Sequence, residues 1–239
     1  MVNPYRYVRA CAWAGPILLV ALVLFWGLAG HNIPPYSASL DATAIAQHFR
    51  QHSVSVRIGM TVSMLLGILY LVWGVAIGRV MRAAEPHNDI LSQLQVWGAG
   101  FTTIVIILPA SLWLTAAFRP ETDPLILQAL YDAGWIFFDM AFSLTMLQLI
   151  PFGICFLADP RAEKLVPVWV SWFAIWVGCM FVVFVFLPFF RDGPFSRSGL
   201  LNFWIEFNIF FLAMIVISIS MFRALTRLER EHRQSRGES

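Results

Sequence analysis

The sequence predicts an all-α polytopic membrane protein with six transmembrane helices. Three observations carry that reading. The 239 residues are 59% hydrophobic and only 13% charged, with a mean hydropathy of +0.72, whereas soluble domains carry about a quarter charged residues. Six apolar runs recur, at about 11–30, 57–77, 94–118, 125–157, 168–190 and 200–222, each near the roughly 20 residues that cross hydrocarbon. The basic residues divide unevenly between the connections. Residues 1–239 read as a single integral membrane domain ending in a basic tail, 223–239, on the cytoplasmic side.

The first run follows Arg6 and Arg9. It is expected to span rather than act as a removable leader, because its length suffices to cross. Pro34-Pro35 ends its exit, since proline cannot continue a helix. Ser39 to His52 reads as a short interfacial helix in the first outer loop, with Ser39 or Asp41 as its N-cap. Ile45 and Phe49 share one face and suit the membrane surface. Glu85-Pro86-His87-Asn88-Asp89 breaks the second helix and caps the third, and Asp159-Pro160-Arg161 does the same after the fourth. Asp192-Gly193-Pro194 forms a turn before the sixth, with Ser196 or Ser198 as the cap. Arg223, Arg227 and Arg230 recur at near-helical spacing, so the tail reads as a basic helix that anchors orientation beside anionic headgroups. Six spans put both termini on one side. Placing them inside leaves eleven basic residues inside and five outside (Arg50, Arg57, Arg119, Arg191 and Arg197), which favours N-in, C-in.

The chemistry concentrates in the fourth and sixth runs. Asp139 sits in the apolar body of the fourth, and Asp132 lies seven residues earlier, almost two turns away on the same face. In the sixth, Asn202 and Glu206 are one turn apart. Both helices run inward, which puts Asp139 and Glu206 at a similar depth, on the order of 10 Å below the outer interface. Charges within spans are costly and usually face a protein interior or a wet cavity. Two readings follow. In the first, Asp139 and Glu206 floor an outward-facing pocket for a cation, a proton or a polar headgroup. Asp132 and Asn202 form its next layer, Arg119 and Arg191 its rim together with Arg57, and Thr61, Ser63, Ser111 and Thr115 its walls. In the second, each acid is protonated and hydrogen-bonded to a neighbouring helix, pinning the packing.

His48 and His52 stand at the i, i+4 spacing that lets two imidazoles reach one metal. Asp41 is two turns earlier and His31 is close by, but Phe49 stands where a zincin motif needs Glu. A pH-responsive surface is the second reading, and a plain solvated helix is the simplest expectation. Cys11, Cys155 and Cys179 form no C-x-x-C pair and read as packing residues. No histidine falls within an expected run, so a bis-histidine haem has no ligands. There is no phosphate-binding loop, dinucleotide fingerprint or nucleophile elbow, and no cofactor is indicated. A net charge of +2 with scattered arginines gives no nucleic-acid footprint. The many Phe and Trp read as lipid-facing bulk and interfacial belts. Leu108-Pro109 with Phe118-Arg119, and Leu187-Pro188 with Phe190-Arg191, each precede a helix with a Trp-Ile pair. This echo is consistent with a duplicated hairpin.

Phe118-Arg119-Pro120 followed by Asp123-Pro124, then Asp132 with Trp135, Asp159-Pro160-Arg161, and Gly193-Pro194-Phe195 with Gly199 occur in order. In these motifs the chain resembles a group of uncharacterised bacterial six-span integral membrane proteins, a domain of unknown function. The resemblance implies the topology and a bacterial inner-membrane location, and brings no activity with it. The leading expectation is binding or transport of a small or lipophilic molecule, proton-coupled if a carboxylate changes protonation. The alternatives are an accessory or scaffold subunit of a larger membrane complex, and a metal-dependent membrane enzyme using His48 and His52. The expected partners are membrane lipids, and a second copy or other membrane chains.

Overall fold

The computed structural model describes residues 4–85 and 88–236, and among these the protein is helical, with no strand. Six helices are long and apolar enough to cross a membrane: α1 (Arg6–Ala29), α2 (Ala42–Ala84), α3 (Ile90–Phe118), α4 (Pro124–Leu157), α5 (Val168–Phe189) and α6 (Leu200–Gln234). The chain is a multi-pass membrane protein. Each expected run is present, and the differences lie at the ends. The segment expected as a separate short helix is the first turns of α2, which begins at Ala42 with the Asp41 carboxylate accepting from Ala44 N at 2.8 Å. The basic tail likewise continues α6 to Gln234. Pro86 and His87 of the α2–α3 break, and the tail beyond Arg236, lie outside the described residues. Beside that break, Asn88 Oδ1 accepts from Ile90 N at 3.0 Å. Ser196 does not cap α6: its hydroxyl donates to Gly193 O at 2.9 Å, and the helix starts after Gly199.

Local irregularities have sequence causes. α1 is interrupted at Trp13, where Pro16 removes a donor and crowds the carbonyl four residues back. α5 tightens to a 3₁₀ helix over Phe181–Phe189 around Pro188. α1 ends (Leu22–Ala29) and α6 begins (Leu200–Ile205) in wide π turns, a geometry frequent next to functional sites.

Each helix packs on its neighbours in chain order, α2 also packs directly on α4, and α1 packed on α6 closes the bundle. Arg9 secures the closure, with Nη2 and Nε at 2.9 and 3.1 Å from the Glu229 carboxylate. Both chain ends therefore share one end of the bundle, the terminal end. The α1–α2, α3–α4 and α5–α6 connections form the opposite, distal end. At the terminal end Asp159, 2% exposed, accepts from Leu165 N at 2.9 Å and from Arg161 N at 3.1 Å. Arg227 of the tail donates to Glu163 O at 2.8 Å, so the tail braces the α4–α5 turn. α1 and α2 meet at Gly59, where a Cβ would sit 2.5 Å from Phe25 O and 2.6 Å from Gly30 N.

Lipid-facing aromatics are only part of the pattern. Trp26, Trp73, Trp113 and Trp135 are fully buried, while Trp13, Trp97, Trp169, Trp172, Trp176 and Trp204 are exposed. The buried indoles make the core. The three cysteines are free.

Candidate functional site

All six helices contribute side chains to a central cavity of about 60 Å³. Trp26 comes from α1, Tyr70 from α2, Thr102 from α3, Phe138 from α4, Phe184 from α5 and Glu206 from α6. Its wall is almost wholly aromatic and aliphatic, and among the described residues Glu206 is the one ionisable carboxyl in it. Trp26 stacks on Phe138 at 5.2 Å and on Phe207 at 5.4 Å, and those two phenyl rings lie 5.8 Å apart and nearly parallel. Two π turns border the cavity. The one at the end of α1 carries Trp26, and the one at the start of α6 runs directly into Glu206.

Glu206 is 1% exposed, and neither carboxylate oxygen has a hydrogen-bond partner. The Tyr70 hydroxyl and Trp26 Nε1 are also buried without partners. The Thr102 hydroxyl donates to Gly98 O at 2.8 Å and lies 3.4 Å from the Thr145 hydroxyl, on the same wall. Buried polar groups are nearly always satisfied; three unpartnered ones line this cavity, and others, among them Trp73, Gln95 and Gln148, lie elsewhere in the core.

A second space, about 690 Å³, opens at the distal end between the start of α2, the start of α4 and the end of α5. Asp132, Gln128, Arg191 and Arg197 line it. Arg197 is its organising residue. Buried to 5% exposure, it donates from Nη1 to Asp132 at 2.6 Å, from Nε to Tyr36 O at 2.7 Å and from Nη2 to Ser37 O at 3.2 Å. Its guanidinium also lies 4.7 Å over the Tyr131 ring. One side chain thus fastens the α5–α6 turn to α4 and to the α1–α2 loop. Trp135 lines this groove and Trp26 lines the central cavity, with their rings 5.9 Å apart. One layer of indoles separates the two spaces.

The predicted residues fall in different places. Asp139 is 2% exposed with Oδ1 unpartnered, but it lines neither space and makes no hydrogen bond with Glu206. The two acids share a depth in sequence, while the structure points only Glu206 into the cavity. Asp132 faces the distal groove, bound to Arg197. Asn202 is buried, with its Nδ2 donating to Phe195 O at 2.6 Å, so it holds the turn before α6 and lines neither space. Arg191 is exposed on the groove, whereas exposed Arg119 ends α3 away from it. Half-buried Arg57 donates back to Ser53 O at 3.3 Å.

The hydroxyls expected as walls do not line the cavity. Ser63, Ser111 and Thr115 donate to carbonyls three or four residues earlier in their own helices, the local satisfaction that Ser and Thr find within a helix. Thr61 is exposed. Thr102 and Thr145 take their place; on α3, Thr102 lies about 13 Å along the axis from Ser111 and on another face.

His48 and His52 come together with His31, ring to ring: His31–His52 at 4.1 Å, His48–His52 at 5.3 Å and His31–His48 at 5.5 Å. The cluster packs ring faces and edges, and no group of three or more His, Cys, Asp or Glu among the described residues is arranged to hold a metal ion. His31 occupies the left-handed region, φ 57°, where α1 ends. Burial, and then the neighbouring His52, hold its imidazole below the usual histidine range. No protein-family model matches this chain, and neither a curated protein nor a solved structure matches it.

Proposed function

We propose that the protein binds a small lipophilic molecule in the cavity at the centre of its bundle, in a bacterial inner membrane. The observation that supports this reading is Glu206, a buried carboxyl with both oxygens unpartnered in an otherwise apolar cavity. An acid kept only to pin helices together would be hydrogen-bonded across the interface. This one is not. The preponderance of basic residues at the terminal end favours N-in, C-in, which turns the distal groove outward and sets the start of α2 at the membrane surface. The groove is then the polar approach, and the Trp26–Trp135 layer is the barrier between it and the cavity. Displacement of that layer would convert binding into transport, and proton exchange at Glu206 would couple the two.

Filling the cavity tests the reading. Thr102 is 4% exposed and lines the space, so Thr102→Phe occupies it from within. Propylbenzene is expected to raise the thermal stability of the wild-type protein in lipid nanodiscs, because a ligand that binds only the folded state stabilises it. Thr102→Phe, with wild-type helix content, is expected to lose that gain. Equal gains in the two proteins would overturn the proposal. No gain in either, together with obligate association with other chains by native mass measurement, would select the scaffold-subunit alternative.

A further inference from the structure

We infer that the central cavity is a site for the charged head of a protonated lipophilic amine, held by Glu206 and Tyr70 against aromatic faces. The inference rests on the binding reading above and names the ligand class of that same site.

Charge comes first. Among the described residues Glu206 is the only carboxyl lining the cavity, and no Arg or Lys lines it. A buried carboxylate is compensated by a partner charge, or else it takes up a proton. A proton alone would leave the Tyr70 oxygen without a donor. An ammonium carries N–H donors, and the two Glu206 oxygens and the Tyr70 oxygen are acceptors lining the same space.

Shape comes next. A bare metal cation needs several oxygen ligands to replace its water, and the wall offers carbon nearly everywhere else. A cavity of about 60 Å³ has room for a head group or a few waters, since one water needs roughly 10–15 Å³. The body of the ligand must lie beyond it. Phe142 and Phe211 line the cavity and are half-buried, so they leave a side at which an apolar body can rest against lipid. Trp26, Phe138, Phe184 and Phe207 line the space, and aromatic rings suit a cation, which is attracted to the ring quadrupole. Carboxylate, acceptor hydroxyl and ring faces together select a cation with an apolar tail.

The test compares phenethylammonium with propylbenzene, its uncharged carbon isostere, and with phenethyltrimethylammonium, which keeps the charge but has no N–H. Binding to the wild-type protein in nanodiscs is read by calorimetry and by thermal shift. Phenethylammonium is expected to bind at least tenfold more tightly than propylbenzene, with the trimethyl compound between them. Glu206→Gln should lower the ammonium affinity at least tenfold. If propylbenzene binds as well as the amine, the cavity reading stands and the amine inference falls. If none of the three binds, both fall. The wild-type comparison decides the point even if Glu206→Gln does not fold.

Discussion

At the scale of single residues, Arg197 shows how much a tertiary contact adds to a charge count. It is one of five basic residues assigned to the outer connections, and no rule of composition separates it from Arg119 or Arg191. In the structure it is the buried one, tied to a carboxylate, two carbonyls and a ring. Its removal leaves two carbonyls and a carboxylate unmet. The Asp132 side chain is 40% exposed, so water compensates part of that loss. Arg197→Ala is expected to lower stability by about 2 kcal/mol, below the 3–5 kcal/mol of a fully buried pair. Asp132→Asn should cost about 1 kcal/mol or less, because a partly exposed pair contributes little and the carbonyl bonds remain. Arg197→Lys should fall between them, since one ammonium cannot reproduce the guanidinium fork. Thermal unfolding of the four proteins in one detergent checks the order, and an Asp132→Asn loss equal to that of Arg197→Ala would contradict it.

At the scale of elements, the junction of α1 and α2 gathers the most unusual local features. A π turn ends α1, His31 follows in the left-handed region, and the first turns of α2 bring His48 and His52 against it. The H-x-x-x-H spacing was legible in the sequence. The third imidazole was legible only as a neighbour, because its approach depends on where α1 stops. The fold favours neutral His31, whose pKa lies below the unfolded value. The unfolded chain therefore binds more protons as pH falls through about 6.5. Stability from this group is full above about pH 6.5 and declines below it. Asn tolerates the left-handed conformation better than most residues, so His31→Asn is expected to keep the turn and flatten that acid slope. Unfolding temperatures measured from pH 8 to pH 5 would show the two proteins diverging below about pH 6.5, and parallel curves would refute the assignment.

At the scale of the whole molecule, orientation is the expectation with the most leverage on the proposed function. In a background with Cys11, Cys155 and Cys179 replaced, Ser39→Cys at the exposed distal end and Ser235→Cys at the exposed terminal end report each side. In intact cells a membrane-impermeant maleimide is expected to label Ser39→Cys only, and the reverse would turn the distal groove inward. Length, composition and the six apolar runs were enough to determine a six-helix membrane protein, because hydrocarbon imposes one length and one polarity on every span. The Asp41 cap of α2 and the breaks at the α2–α3 and α4–α5 turns were also legible, because capping is a local exchange of hydrogen bonds. Only the tertiary structure decided which face of each helix turns inward. It placed four of the ten tryptophans in the core, separated Asp139 from the cavity that Glu206 enters, and exchanged Ser111 and Thr115 for Thr102 and Thr145. The reason is physical: in a membrane both faces of a helix are apolar, so the hydrophobic period that reveals the buried face of a soluble helix is missing, and packing alone sets the rotation.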